Sequence, residues 1–230
     1  MSNLVIGIEG LVGAGKTSLC LELLEIIPNS VIMHGGSLYR AIVYALLNSG
    51  NSLDKLVNSI KDNDIKQIME KYQISFKIEN RDSVFYITDR RIEEKDLQSK
   101  EVSMGVSMVS NVADNKKLFE YGKELVENLK RNYNVIFSSR AIMKTYPNVD
   151  YHFFITADLQ ERIRRKSIQY KGKMSEEELA KHIQKRDELQ EKSGFYKLSS
   201  NTIVLDVTNC KSPKESAESL MEHVKIPINV

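Results

Sequence analysis

Eight consecutive residues constrain this chain more than any other feature. Gly10-Leu11-Val12-Gly13-Ala14-Gly15-Lys16-Thr17 matches G-x-x-x-x-G-K-[ST] at every fixed position. A short apolar run, Leu4 to Ile8, comes before it. A helical pattern of Leu19, Cys20, Leu23, Leu24 and Ile27 comes after it and stops at Pro28. In that setting the glycines turn backbone N–H groups toward a phosphate, and the helix dipole adds to the attraction. The stretch from Gly10 through Ser18 therefore predicts a nucleoside triphosphate site. Lys16 would reach the β- and γ-phosphates, and the Thr17 hydroxyl would hold Mg²⁺. ATP or GTP with Mg²⁺ follows. The loop alone leaves the fate of the phosphate open, because switches and motors use it as well as transferases.

The rest of the chain supplies a frame for such a loop. Val31-Ile32-Met33, Asn134 to Ser138, Tyr151 to Ile155 and Thr202 to Asp206 are further short apolar runs, with helical stretches between them. Continuous apolar strands alternating with helices predict an α/β fold, a parallel sheet of five strands covered on both faces. One region breaks the rhythm. Ile74 to Ile78 and Val84 to Ile87 bracket a polar turn, which predicts an antiparallel hairpin near residues 72–93, standing apart from the main sheet. Ser175 with Glu178 is a capping box opening a charged helix, and Gly194 is its expected end.

Composition removes several classes of function. A chain of 230 residues fits one domain. Lys plus Arg is 33 against 31 for Asp plus Glu, so the net charge of +2 is too small for bulk capture of nucleic acid or an anionic membrane. An anion site must come from local placement of cations. Cys20 and Cys210 form no disulfide framework or metal-ligand spacing, and the first residues carry no leader pattern. No apolar run could span a bilayer. A cytoplasmic monomer acting on small molecules is the expectation.

The arginines narrow the chemistry. Arg162, Arg165 and Lys166 share one helix face by their spacing. Arg186 falls on the apolar side of its helix with Leu179 and Ile183, where an arginine either snorkels or aims at an anion. Arg40 and Arg140 each closely follow a predicted strand, at the end where open α/β sheets bind ligands. Phosphoryl transfer needs several cations around developing negative charge.

Ordered segments then resemble a known family. Gly36-Ser37-Leu38-Tyr39-Arg40 is similar to the Gly-x-x-Tyr-Arg segment of bacterial cytidylate kinases. Val102-Ser103 through Val106-Ser107 resembles that family's V-S-x-x-V-S helix. Arg140 ahead of Pro147 to Asp150, Glu161-Arg162-Ile163-Arg164-Arg165, and Ile183 to Asp187 resemble three further segments in the same order. The resemblance spans residue 4 to about 220. It implies a single P-loop kinase domain over 1–230: a three-layer sandwich with a monophosphate-binding insert at about 58–100 and a helical lid at about 160–190. It implies ATP- and Mg²⁺-dependent phosphorylation of CMP or dCMP. Lys16, Arg162, Arg165 and Arg186 would be catalytic, and Gly36, Arg40, Ser107, Lys116 and Arg140 would bind the nucleotide acceptor.

The departures are concentrated at the acceptor. The family usually has Asp-Ser-Gly or Asp-Thr-Gly where His34-Gly35-Gly36 stands, and Arg-Asp where Arg140-Ala141 stands. Its base-reading arginine falls near Lys116. Its aspartate and arginine on the last lid helix fall on Gln190 and Ser193. Ile8-Glu9-Gly10-Leu11 with Gly15-Lys16-Thr17 resembles thymidylate and deoxynucleoside kinases instead, although their Asp-Arg-Tyr is missing at Ser138-Ser139-Arg140. Another acceptor, such as dTMP, a different pyrimidine nucleotide or a non-nucleotide molecule, is the first alternative. A non-catalytic ATP-binding regulator is the second.

Overall fold

The computed structural model describes residues 3–62, 65–111, 116–170, 174–192, 194–196 and 198–225. The predicted strands form where the apolar runs stand: β1 (Val5–Gly10) leads through the glycine loop to α1 (Lys16–Ile26), then β2 (Ser30–His34) and α2 (Gly35–Asn48). Next come α3 (Leu53–Asp62), α4 (Ile65–Lys71), the hairpin β3 (Ile74–Glu79) and β4 (Asp82–Ile87), a two-residue strand β5 (Arg90–Arg91), α5 (Glu94–Leu97) and α6 (Lys100–Asn111). The chain closes with α7 (Lys116–Lys130), β6 (Asn134–Ser138), α8 (Ile142–Thr145), β7 (Tyr151–Thr156), α9 (Leu159–Tyr170), α10 (Glu176–Lys192), β8 (Thr202–Asp206) and α11 (Pro213–Met221).

Five parallel strands in the order β2-β6-β1-β7-β8 carry the sheet. Alternate residues of each strand point to opposite faces. Ile32 and Ile136 join Leu19, Leu23 and Leu220 in one buried layer with α1 and α11. Their neighbours Val31, Met33, Val135 and Phe137 pack with Val126 and Tyr146 on the other face, under α7 and α8. Burial on both faces is why these strands read as unbroken apolar runs.

The hairpin does not stand apart. The sheet has eight strands among the described residues, because β4 adds to β2 in parallel at Ile32↔Asp82 and carries β3 and β5 with it. The hairpin turns tightly at Asn80 and Arg81, whose φ values of 50° and 65° suit the right-handed twist of the flanking strands. Arg81 then docks on the core. Its carbonyl accepts the Ile32 N–H at 2.8 Å, and its Nη1 donates to the Leu24 carbonyl at 2.6 Å. Unpaired edge groups on β2 have thus found a partner strand that no local pattern announces.

Two helical regions pack against this frame. Helices α3 to α6, which include the expected insert at about 58–100, pack on α2 through a cluster that includes Leu38, Ile42, Leu56 and Phe85. The lid, α9 and α10, meets the glycine loop through Val12, Ile163, Leu179 and Ile183. The capping box forms as read: Ser175 Oγ accepts the Glu178 N–H at 3.2 Å, and Glu178 Oε2 accepts the Ser175 N–H at 2.8 Å. Gly194, with φ of 68°, follows the end of α10.

Candidate active site

β1 and α1 are joined by a loop whose shape depends on glycine. At Gly10, φ is 145° and a Cβ would lie 2.1 Å from the Ile155 carbonyl of β7. Gly15 caps α1 in the left-handed region, with φ of 95°. No side chain caps this helix, so the N–H groups of its first turn have no side-chain acceptor. That is a ready anion site at the head of an eleven-residue helix. Lys16 Nζ lies across the loop, donating to the carbonyls of Gly10 at 2.7 Å and Leu11 at 2.9 Å. Thr17 and Ser18 are exposed on the first turn.

A second group of cations gathers opposite. Arg40 is held by α5 and α6, its Nη1 donating to the Leu97 carbonyl at 2.7 Å and to Ser103 Oγ at 3.0 Å. Arg140 follows β6, and Arg186 comes from α10. Their electrostatics reveal a shared space. Loss of water, then the charges of Arg140 and Arg186, push Lys16 down to about 7. Loss of water, then Arg186, push Arg140 down to about 10. Arg40 is lowered by burial and by Arg186, and Lys166 by burial, Arg186 and Arg140. Arg186 is the common neighbour of all four. Cations that repel one another in a cleft are poised for a polyanion.

Arg162 and Arg165 take a different place. Buried Arg162 pairs with Asp187 and donates from Nη1 to the Val12 carbonyl at 3.3 Å, leaving its Nε without a partner among the described residues. Asp187 Oδ1 accepts the Val12 N–H at 3.1 Å and the Tyr196 hydroxyl at 3.0 Å. Arg165 donates to Glu161 Oε1 at 2.7 Å, to the Ala14 carbonyl at 2.8 Å and to the Val207 carbonyl at 2.8 Å. Arg164, then Arg165, hold Glu161 down to about 2. These two arginines tie α9 to the glycine loop, while Arg186 acts electrostatically on Lys16, Arg40 and Arg140.

The remaining sequence-named residues are scattered around this centre. Gly36 is exposed near the start of α2, and Lys116 opens α7. Ser107 lies in α6, with its side chain outside the described residues, as is Ser193. His34 Nε2 is 3.4 Å from Asp82 Oδ1 of the hairpin, and its N–H donates to Ser83 Oγ. Ala141 caps α8. Gln190 is buried, and its Oε1 has no partner among the described residues. Sequence reasoning missed Asp187 and Tyr196 as parts of the site. Asp187 could have been found beside Arg186. Tyr196 carried no signal, because only the return of the chain past α10 brings it there.

No group of three or more His, Cys, Asp or Glu side chains that could hold a metal occurs among the described residues. The Thr17 hydroxyl is nonetheless the hard oxygen donor that Mg²⁺ takes when phosphates and water supply its other ligands, so the site fits that ion. No helix among the described residues is long and apolar enough to cross a membrane.

A family model described as cytidylate kinase matches residues 6–226. The chain belongs to the cytidylate kinase family. A cytidylate kinase of Clostridioides difficile (strain 630) is 29% identical over 236 residues, covering 100% of both chains. One of Acholeplasma laidlawii (strain PG-8A) is 30% identical over 232 residues, covering 98% of this chain and 96% of that one. Among solved structures, thymidylate kinase from Candida albicans aligns with a TM-score of 0.45 at 14% identity, covering 96% of this chain and 90% of that one. As a cytidylate kinase family member, the protein is a phosphotransferase of the nucleoside monophosphate kinase class.

Proposed function

We propose that this enzyme transfers the γ-phosphoryl group of ATP to CMP or dCMP. The observation that carries the reading is that Arg186 of α10 acts electrostatically on Lys16 of the glycine loop and on both Arg40 and Arg140. The loop N–H groups and Lys16 would hold the triphosphate, and Thr17 would offer its hydroxyl to Mg²⁺. When bound, that ion neutralises charge on the phosphate oxygens. Arg40 and Arg140 would hold the acceptor phosphate, with Gly36, Ser107 and Lys116 around the acceptor. An acceptor phosphate oxygen attacks the γ-phosphorus as the bond to the ADP oxygen breaks. No general base is needed, because that oxygen is already ionised; positioning and charge neutralisation supply the acceleration. Arg162 and Arg165 serve by fixing the lid to the loop, which sets Arg186 in place and excludes water.

His34, Ala141 and Gln190 favour a second reading, in which another pyrimidine nucleotide is the better acceptor. One hydrogen bond lost from a buried polar partner costs ~1–3 kcal/mol. Several lost together would cost about 4 kcal/mol, roughly a thousandfold in affinity. ADP release measured against CMP, dCMP, UMP, dTMP, AMP and non-nucleotide alcohols separates the readings. CMP or dCMP should give the highest kcat/KM. A higher value for dTMP or UMP moves the assignment to that nucleotide, and ATP binding without ADP release on any acceptor points to a regulator.

A further inference from the structure

A buried polar chain links β1, β7 and β8, and the transfer scheme does not use it. Glu9, the residue before Gly10, and His152 of β7 are each only 3% exposed. Glu9 Oε2 lies 2.7 Å from His152 Nε2, and Glu9 Oε1 accepts the N–H of Ile142 at 3.3 Å. His152 Nδ1 lies 2.9 Å from Thr202 Oγ1 of β8, which accepts the Ser199 N–H at 3.0 Å. With the imidazole neutral and its proton on Nε2, every donor has an acceptor and the chain runs one way. Ser199 N–H meets Thr202, the Thr202 hydroxyl meets His152, and His152 meets Glu9.

A carboxylate taken out of water is costly unless its oxygens are met. Glu9 is met from both sides, and one side is the first N–H of α8, two residues after Arg140. The backbone on which Arg140 stands is thereby tied to the strand that delivers the glycine loop. We infer that Glu9 is a positioning residue for Arg140, held in its rotamer by His152 and Thr202. The inference rests on the proposed role of Arg140 at the acceptor phosphate. Glu9 touches no substrate in this scheme. It sets where the Arg140 turn sits relative to Gly10, and hence the separation of acceptor from donor.

The test uses the full chain as wild type, Glu9→Ala, Glu9→Gln and Thr202→Val, with CMP and ATP as probes. Glu9→Ala should raise the KM for CMP about tenfold or more while the KM for ATP stays within about twofold. Glu9→Gln should recover most of the loss, because its amide oxygen still accepts the Ile142 N–H while its NH2 donates to His152 once the imidazole proton moves to Nδ1. Thr202→Val, a milder change, should shift the same KM in the same direction by about threefold, and it keeps the test open if Glu9→Ala does not fold. A KM for ATP that rises as much as that for CMP would overturn the inference. Amide exchange over residues 140–145 needs no turnover: it should be faster in Glu9→Ala than in wild type or Glu9→Gln. Equal exchange in all three overturns the positioning role even if CMP is not phosphorylated. Wild-type failure on CMP with the expected exchange pattern would count against the proposed acceptor and leave the Glu9 tie standing.

Discussion

The proposed donor end is one stretch of chain, Gly10 to Ser18, whose glycine pattern is complete within the sequence. The proposed acceptor end would draw Arg40 from α2 and Arg140 from the turn after β6, residues 100 positions apart (140 − 40), with Arg186 of α10 acting electrostatically on both. The donor end needs glycine torsions, an uncapped helix and a few ties from elsewhere, such as the Val12 N–H donating to Asp187. The acceptor end needs the sheet order, the insert and the lid all to be correct. The sequence departs from the resembled family's acceptor motifs at His34, Ala141 and Gln190, while the loop keeps its full pattern.

Mutations can break or sharpen this contrast. Asp187 joins the loop to α9, accepting from Val12 and pairing with Arg162. Asp187→Ala should cost ~3–5 kcal/mol of stability by urea unfolding, because it strands a buried guanidinium. It should also weaken both substrates. Lys16→Ala should reduce kcat by ~10²-fold or more with no fall in Tm. Near-normal turnover would show that the loop is not the donor site. Arg140→Ala should raise the KM of the monophosphate acceptor about 10- to 100-fold, with ATP little affected. Equal effects on both substrates would erase the distinction between the ends.

A pH titration probes the donor end by itself. The free folded protein releases the Lys16 proton near pH 7, whereas the ordinary value is 10.5. The unfolded chain then binds more protons across that window, so the Lys16 contribution to stability rises with pH from about 7 to 10.5. Bound triphosphate favours the charged amine. ATP affinity should therefore fall by about tenfold per pH unit above 7, with proton uptake on binding, measured calorimetrically in buffers of different ionisation enthalpy. Lys16→Ala should flatten that slope. The smallest effect is expected from Ala141→Asp, which suits a helix N-cap and should raise kcat/KM for CMP a few-fold. An unchanged acceptor profile would mean that this pocket is built on other residues.

Much of the molecule was legible beforehand. The strands, the capping box of α10 and the loop follow from local rules: apolar runs, a Ser-to-Glu spacing and glycines. The hairpin itself was readable, but not its docking, because pairing of β4 with β2 depends on an unpaired edge that no window of sequence contains. Arg162 was readable as a lid arginine, but not its partner: Asp187 lies 25 residues away on a second helix (187 − 162).

The sequence by itself specified a glycine loop between a strand and a helix on an α/β sheet, because eight adjacent residues carry their own torsional and dipolar reasons. Only the tertiary structure decided which cations act on one another and which are tied to loop carbonyls and carboxylates. Charge repulsion and carbonyl capture depend on distances between elements, and those are set by packing of the whole chain.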